Sequence, residues 1–292
     1  MKTLKDNLII LHECPDVSRS ILRKVLKTEH LLASIYKIST AEFADAVQIP
    51  YSKSTKIYHF MTNTNIMKKL DKNRKKYHYI TWFDKEYPTS LRTIPDPPLV
   101  LYASGNPSLL LHPLNISIVG TRTPSNYAFP AMNKILPPLV KAGFSIVSGM
   151  AMGIDQYAHQ IALSNQGKTI AVIGSGFNHL YPKNNLNLFE HLTKHQIVVS
   201  EYPPDTPPRK YHFPERNRII SGLSEATLVV EARLRSGSLI TVDQALEQGR
   251  DVYAFPGPIG SLTSEGCHHI IQQGAKLVQS YEDIISAYCV KN

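Results

Sequence analysis

AVIGSGFNHLYPKNN, residues 171–185, takes an apolar run straight into a glycine, serine, glycine turn, and the same transition recurs along the chain. Small residues stand where a helix should begin at Gly120-Thr121-Arg122, Ser148-Gly149, Gly174-Ser175-Gly176 and Ser236-Gly237-Ser238, three of them directly after an apolar run. Such a turn exposes backbone N–H groups beside the positive end of a helix dipole, which suits a phosphate oxygen. Several on one sheet, in a chain of net charge +9, point to a ligand with more than one phosphate.

Working outward, the apolar runs Ile116–Val119, Phe144–Val147, Ile170–Ile173, Ile197–Val199, Leu228–Val230 and Val252–Phe255 are short and nearly continuous. Such runs suit strands buried on both faces of a parallel sheet. Helical patterns lie between them, at Asp155–Leu163, Asn184–Leu192, Pro214–Leu223 and Ser238–Gln248. The alternation predicts a doubly wound α/β sheet. The helix after the first of these strands is expected to be kinked or late-starting, because Pro130, Pro137 and Pro138 cannot all sit inside a regular helix. Ahead of the sheet, residues 1 to about 70 read as a small helical module, with helices at Ser18–Lys27 and Thr40–Val47. A basic cluster from Lys68 to Lys76 and a Pro-rich stretch from Tyr87 to Pro98 separate the two.

Composition narrows the function classes. The 292 residues, 42% of them apolar, suffice for one large and one small domain. The positive excess is shared by the residues before and after 72, so there is no detachable basic tail. Cys14, Cys267 and Cys289 are odd in number and lack a Cys-x-x-Cys pair, which suggests neither a disulfide framework nor a zinc site. Reduced cytosol is expected. The N-terminal stretch has charge within its apolar residues and no small-residue cleavage site, and no run approaches about 18 apolar residues. Export and membrane spanning are not expected.

The turn motifs fit neither common nucleotide signature. In the Gly174 turn the last glycine of a G-x-G-x-x-G pattern is replaced by His179, and no G-x-x-x-x-G-K-[ST] occurs. The one H-x-x-x-H among the twelve histidines, His191 to His195, runs past the end of the expected helix, and no H-E-x-x-H occurs, so no metal and no cofactor are expected. Two segments favour anion binding instead. VVEARLRSGSLITVDQALEQG brings Arg233 and Arg235 and a helix start at Ser236-Gly237-Ser238 to one sheet edge, with Glu231 read as an ion-pair member that orients the arginines. SEYPPDTPPRKYHFPERNRIISGLS interleaves Arg209, Lys210, Arg216 and Arg218 with Tyr202, Tyr211 and Phe213, a mixture suited to single-stranded nucleic acid.

The order of motifs resembles the DNA-processing protein A family, also called DprA or Smf. The matching series is VGTRTPSNY at Val119, SGMAMGID at Ser148, AVIGSGFNHLYPKNN at Ala171, SEYPPDTPP at Ser200, FPERNRIISGLS at Phe213, VVEARLRSGSLIT at Val229, GRDVYAFPGPI at Gly249 and GCHHIIQQGAKLV at Gly266. The resemblance implies an extended Rossmann-like domain over residues 73–292, preceded by a sterile-alpha-motif-like helical domain over residues 1–72. It implies a cytoplasmic recombination mediator of natural transformation rather than an enzyme, one that binds single-stranded DNA, pairs with itself and loads the RecA recombinase. The sequence ends soon after Tyr288, so the winged-helix tail of some members is not expected. The family's basic pocket matches Arg122 and Lys183, with the Gly174-Ser175-Gly176 turn between them. His268 and Leu277 match positions of self-pairing, and Leu246 matches a position linked to recombinase contact. Phe177 and Tyr181 are the expected acceptors of unstacked bases. The alternative is a nucleotide- or sugar-phosphate-processing enzyme on the same kind of fold, and a nucleotide-sensing scaffold is a third reading.

Overall fold

The computed structural model describes residues 3–28 and 30–288. Two compact units divide the chain, one through Lys85 that takes in Leu99–Tyr102, the other made of Glu86–Pro98 and the residues from Ala103 onward. Residue 72 falls inside a helix of the first unit.

That unit is helical because short polar residues start four of its six helices and apolar residues at helical spacing meet inside. Helices α1 (Leu4–Glu13), α2 (Arg19–Lys27), α3 (Leu31–Ser34), α4 (Thr40–Val47), α5 (Tyr51–Thr62) and α6 (Thr64–Arg74) lead to the short strand β1 (His78–Thr81). Thr3 with Asp6 and Ser39 with Glu42 form reciprocal capping boxes, and Ser18 and Asn63 cap α2 and α6. Leu8, Leu11, Leu22, Val25, Val47 and Ile57 are fully buried.

The second unit contains α7 (Thr89–Arg92), and β2 (Val100–Gly105) leads into it. There follow β3 (Asn115–Val119), α8 (Ala128–Lys141), β4 (Ser145–Gly149), α9 (Ile154–Ser164), β5 (Thr169–Ile173), α10 (Leu186–His195) and β6 (Ile197–Ser200). Next come α11 (His212–Gly222), β7 (Ala226–Val229), α12 (Gly237–Glu247), β8 (Asp251–Ala254), α13 (Glu265–Gln272) and β9 (Lys276–Leu277). The parallel strands lie in the order β6-β5-β4-β3-β7-β8-β9. This is the extended Rossmann-like, doubly wound sheet of the sequence reading.

Alternation along β3 shows why both faces are covered. Ile116 and Ile118 join a core with Met132, Leu136 and Leu139 of α8 and Ala158 of α9. Ser117, between them, points the other way and donates to the Ile220 carbonyl of α11 at 2.8 Å. Helix α8 is late-starting, Val119 and Ala128 being joined by the loop that carries Arg122, but Pro130, Pro137 and Pro138 all lie within it, against the expectation that a regular helix could not hold them. Pro130 sits in the first turn, where a missing N–H costs little, while Pro137 and Pro138 lie within the helix. Because α8 leads from β3 to β4 while the partner on β3's other side is β7, the strand order reverses between β3 and β7. A crevice opens at their carboxyl ends, where doubly wound sheets hold ligands.

Cys14 and Cys267 are free and buried, and Cys289 lies outside the described residues. No helix among the described residues is long and apolar enough to cross a membrane.

Candidate nucleic-acid interface

The crevice is an open cleft of about 660 Å³. Its walls come from the loop after β3 (Gly120 to Thr123), the start of α9, Tyr181, the first turns of α11, and the loop after β7 together with the start of α12. Arg122, Lys210, Arg216, Arg233 and Arg235 line it, against a single carboxylate among the described residues, Asp155. All but Arg216 of these cations are exposed. A concave surface of one charge sign focuses the field on an anionic ligand.

The Arg122 loop is pinned from both ends. Thr121 N–H donates to the Glu231 carbonyl at 2.8 Å, and Ile154 N–H donates to the Thr121 carbonyl at 3.2 Å. The Glu231 side chain is 1% exposed. It accepts from Ser125 N–H at 2.9 Å, from the Ser125 hydroxyl, and from the Thr263 hydroxyl at 3.2 Å. The reading of Glu231 as an ion-pair partner of Arg233 and Arg235 is therefore corrected. Its charge is spent on hydroxyl and amide donors brought in from other loops, which leaves both arginines turned to the cleft.

At the start of α12, Ser236 occupies the capping position but its side chain caps nothing. Its hydroxyl pairs with that of Ser238 at 2.8 Å instead. A Cβ added to Gly237 would meet no atom within 4 Å. The helix thus presents uncapped first-turn amides to the cleft, with Arg235 beside them, an arrangement suited to a phosphate.

The other glycine turns serve the protein itself. A Cβ on Gly120 would press on Ile154, on Gly149 on Arg216 and Asp155, on Gly174 on Phe213, and on Gly176 on the carbonyls of Pro203 and Pro204. Ser148 and Ser175 are buried, Ser148 donating to the Ile118 carbonyl at 2.6 Å. Of these three turns, those at Gly120 and Gly174 still reach a hollow, Gly120 the cleft and Gly174 a smaller one beside it.

That smaller hollow, about 30 Å³, is lined by Met150, Met152, Tyr181, Phe213 and Arg122, among others. Tyr181 is 47% exposed. Its ring centroid lies 5.6 Å from that of Phe213, and the Arg122 guanidinium sits 5.9 Å from the Phe213 ring centre, a cation over an aromatic face. Phe177 lies elsewhere: it is 6% exposed and packs toward Phe189. Its expected role as a base acceptor does not suit that burial. Lys183, at the start of a short turn after Pro182, is exposed but lies outside the linings of both hollows.

Arg216 and Arg218, neighbours on α11, are both buried. Arg218 donates to both oxygens of Glu201, at 2.7 and 2.8 Å, and to Asp96 at 3.1 Å. That network holds its guanidinium in the interior, so the expectation that it contacts DNA is set aside. Arg216 donates to the Val172 carbonyl and shows the rest of its guanidinium to the cleft beside Asp155. Burial pushes the Asp155 carboxyl up to about 6, against the pull of Arg216 and Arg122. Burial likewise pushes His159 down to about 4, so its ring is neutral at ordinary pH. Its Nε2 lies 2.7 Å from the Gly149 carbonyl, to which it donates, and its Nδ1 lies 2.7 Å from the Thr169 hydroxyl.

Phe213 was read in the sequence among the rings interleaved with the cations, whereas Asp155 was in view in SGMAMGID without a place in the site. An acidic residue in the first turn of a helix was the available signal for Asp155. Nothing local distinguishes it from an ordinary dipole partner.

A doubly wound, mostly parallel α/β domain with a cation-lined cleft at its switch point is the class that these features define. The chain belongs to the DNA recombination-mediator protein A family, whose model matches residues 78–289. It is 49% identical over 208 residues to DNA processing protein DprA of Bacillus subtilis, covering 71% of this chain and 70% of that one. It is 46% identical over 219 residues to the Streptococcus pneumoniae protein of the same name, covering 75% and 77%. The crystal structure of Streptococcus pneumoniae DNA processing protein A superposes with a TM-score of 0.86 at 38% identity, covering 98% of both chains. A structure of DNA processing protein A from Helicobacter pylori, described for its single-stranded DNA binding mode, gives a TM-score of 0.66 at 29% identity, covering 73% of this chain and 97% of that one. The role of the family is in DNA processing.

Proposed function

We propose that the chain binds single-stranded DNA in the switch-point cleft and helps load the RecA recombinase onto it. The observation that supports this most is the cleft itself, in which exposed Arg122, Lys210, Arg233 and Arg235 and the open start of α12 stand beside the rings of Tyr181 and Phe213. Cations and amides take the phosphates. The rings take bases that a duplex keeps stacked, at about 1–3 kcal/mol per base. The Helicobacter pylori relative, described for its single-stranded DNA binding mode, lends support. So do the exposed Lys183 at the family's basic position and the glycine turns that shape the rim.

Binding is expected to weaken with salt, with a log–log slope of about −0.7 per neutralised phosphate. Arg122→Ala with Lys183→Ala should flatten that slope by roughly one to two phosphates' worth, read by fluorescence anisotropy on single-stranded and duplex oligonucleotides. Unchanged affinity of the double variant at every salt concentration rules the pocket out. Tyr181→Ala should weaken binding by about tenfold or more, in line with the loss of one stacked base, and leave the slope unaltered.

Self-pairing fits the sheet's exposed end. Leu277 is 41% exposed on β9, the last strand of the order, and an open strand edge is a template for a second chain. His268 Nε2 lies 3.0 Å from the Gly257 carbonyl and holds the loop before α13. Leu277→Lys is expected to shift a dimer to a monomer in size-exclusion chromatography with light scattering. An unshifted dimer removes β9 from the interface. Leu246, 60% exposed on α12, is available for a recombinase contact. The buried free thiols of Cys14 and Cys267 accord with a reducing cytoplasm. Binding and handover need no catalytic residue, and we read the chain as a mediator rather than an enzyme.

A further inference from the structure

Asp155 is out of keeping with a cleft that holds phosphates. It stands in the first turn of α9 and lines the cavity beside Arg122 and Arg216. Its meeting with Arg216 is built in: a Cβ on Gly149 would lie 2.5 Å from the Asp155 Oδ2 and would collide with the Arg216 guanidinium. Both side chains belong to residues under 8% exposed, at 7% and 6%. An acid placed there for the helix dipole alone would be as effective in solvent. Here it is desolvated and shares its cations with the ligand.

We propose that a phosphodiester entering beside Arg122 and Arg216 drives a proton from solvent onto the Asp155 carboxylate, so that strand binding and proton uptake are coupled. This rests on the cleft being the strand-binding site. Without ligand, the carboxylate is the anion that two cations have. With a phosphodiester present there are two anions in one partly desolvated space. The phosphodiester stays ionised throughout the physiological range, so repulsion is relieved at the carboxyl.

The neighbours of the carboxyl set the balance between its two forms. Ser148 of β4 gives its hydroxyl hydrogen to the Ile118 carbonyl at 2.6 Å. Ser148 and the Ala151 N–H both favour the ionised form of Asp155, so proton uptake requires a ligand whose negative charge outweighs them. The charged and titratable groups facing the site are Arg216 from α11, Arg122 from the loop after β3, and Tyr202, which faces Arg216. His159, one turn along α9, faces inward to Gly149 and Thr169 and stays neutral from pH 5 to 8, its basicity being pushed down to about 4 by burial. The free carboxyl, pushed up to about 6 by that same burial, is mostly ionised at pH 7 and has room to take up a proton.

The test is isothermal calorimetry at pH 6.5 with an oligothymidylate lacking terminal phosphates, in two buffers of different ionisation enthalpy. Neither thymine nor the phosphodiester titrates there. The full chain is expected to take up a substantial fraction of one proton per cleft. Its affinity should rise about tenfold from pH 8 to pH 5 if the strand raises the carboxyl by one pKa unit. Asp155→Asn should bind without uptake and with a flat pH profile. Binding by the parent chain with no proton taken up overturns the coupling alone. Equal uptake by Asp155→Asn also overturns it, by assigning the proton to histidines such as His179 or His212. Absence of strand binding at any pH overturns the reading of the cleft, and the coupling with it.

Discussion

Arg218→Ala is expected to destabilise the α/β unit by about 3–5 kcal/mol, the usual cost of removing one partner from a buried ion pair. The physical reason is Glu201, which is 4% exposed and receives two hydrogen bonds from Arg218. Truncation takes two hydrogen bonds and a cation from that buried carboxylate, and removes one contact from Asp96 as well. Thermal unfolding should fall by on the order of 10 °C, given about 2–4 °C per kcal/mol for a domain of this size. Glu201→Gln in the same background should recover part of the loss, because a neutral amide is less costly to bury than a carboxylate that has lost a cation. At temperatures where the variant is folded, the salt slope of strand binding should match that of the parent. A normal melting temperature with a flattened slope would return Arg218 to the DNA-contacting surface.

Gly153→Ala should be comparably severe, and for both stability and binding. Gly153 has φ +80°, a conformation that an L side chain rarely adopts. Its missing Cβ faces the Thr121 carbonyl at 2.5 Å and the Arg122 carbonyl at 2.8 Å. These are backbone atoms of the very loop that presents Arg122 to the cleft. Backbone strain of about 1–3 kcal/mol adds to overpacking of similar size. Relief requires the Arg122 loop to move away from α9, where Ile154 N–H holds the Thr121 carbonyl. The variant should melt early and bind single strands more weakly, with a reduced salt slope, in the same anisotropy and melting measurements. A parent-like melting temperature would show that the loop yields freely and that Arg122 is not held by this contact.

These two residues show how much of the molecule was legible along the chain. The strands from Ile116 to Phe255 and the helices beginning near Asp155, Pro214 and Ser238 were readable, because apolar run length and helical spacing are local properties. The positions of the turns at Gly120 and Gly237 were readable for that reason too. Strand β9 was not: it has two residues, Lys276 and Leu277, both exposed, so no burial pattern marks it. The late start of α8 was expected from its prolines, but all three lie inside Ala128–Lys141, so that reason does not hold.

Side-chain roles followed a different rule. Arg216 and Arg218 stand on one helix, in the same motif, with the same composition around them, and no property of the sequence separates them. The separation comes from what the fold sets opposite each one, Glu201 and Asp96 for Arg218, Asp155 and the Val172 carbonyl for Arg216. The glycines divide in the same way. All were readable as turns, yet Gly149, Gly174 and Gly176 make room for Arg216, Phe213 and the Pro203–Pro204 backbone, while Gly237 faces open space.

The sequence by itself thus determined the parallel α/β sheet, the helical module before it, the family, and the sheet edge at which the cations gather, since each rests on residues near one another in the chain. Tertiary structure alone decided which cations remain available, which turns are open, and that Asp155 sits among the cations. Those outcomes depend on desolvation and on partners brought together from distant segments, and neither quantity exists until the chain has folded.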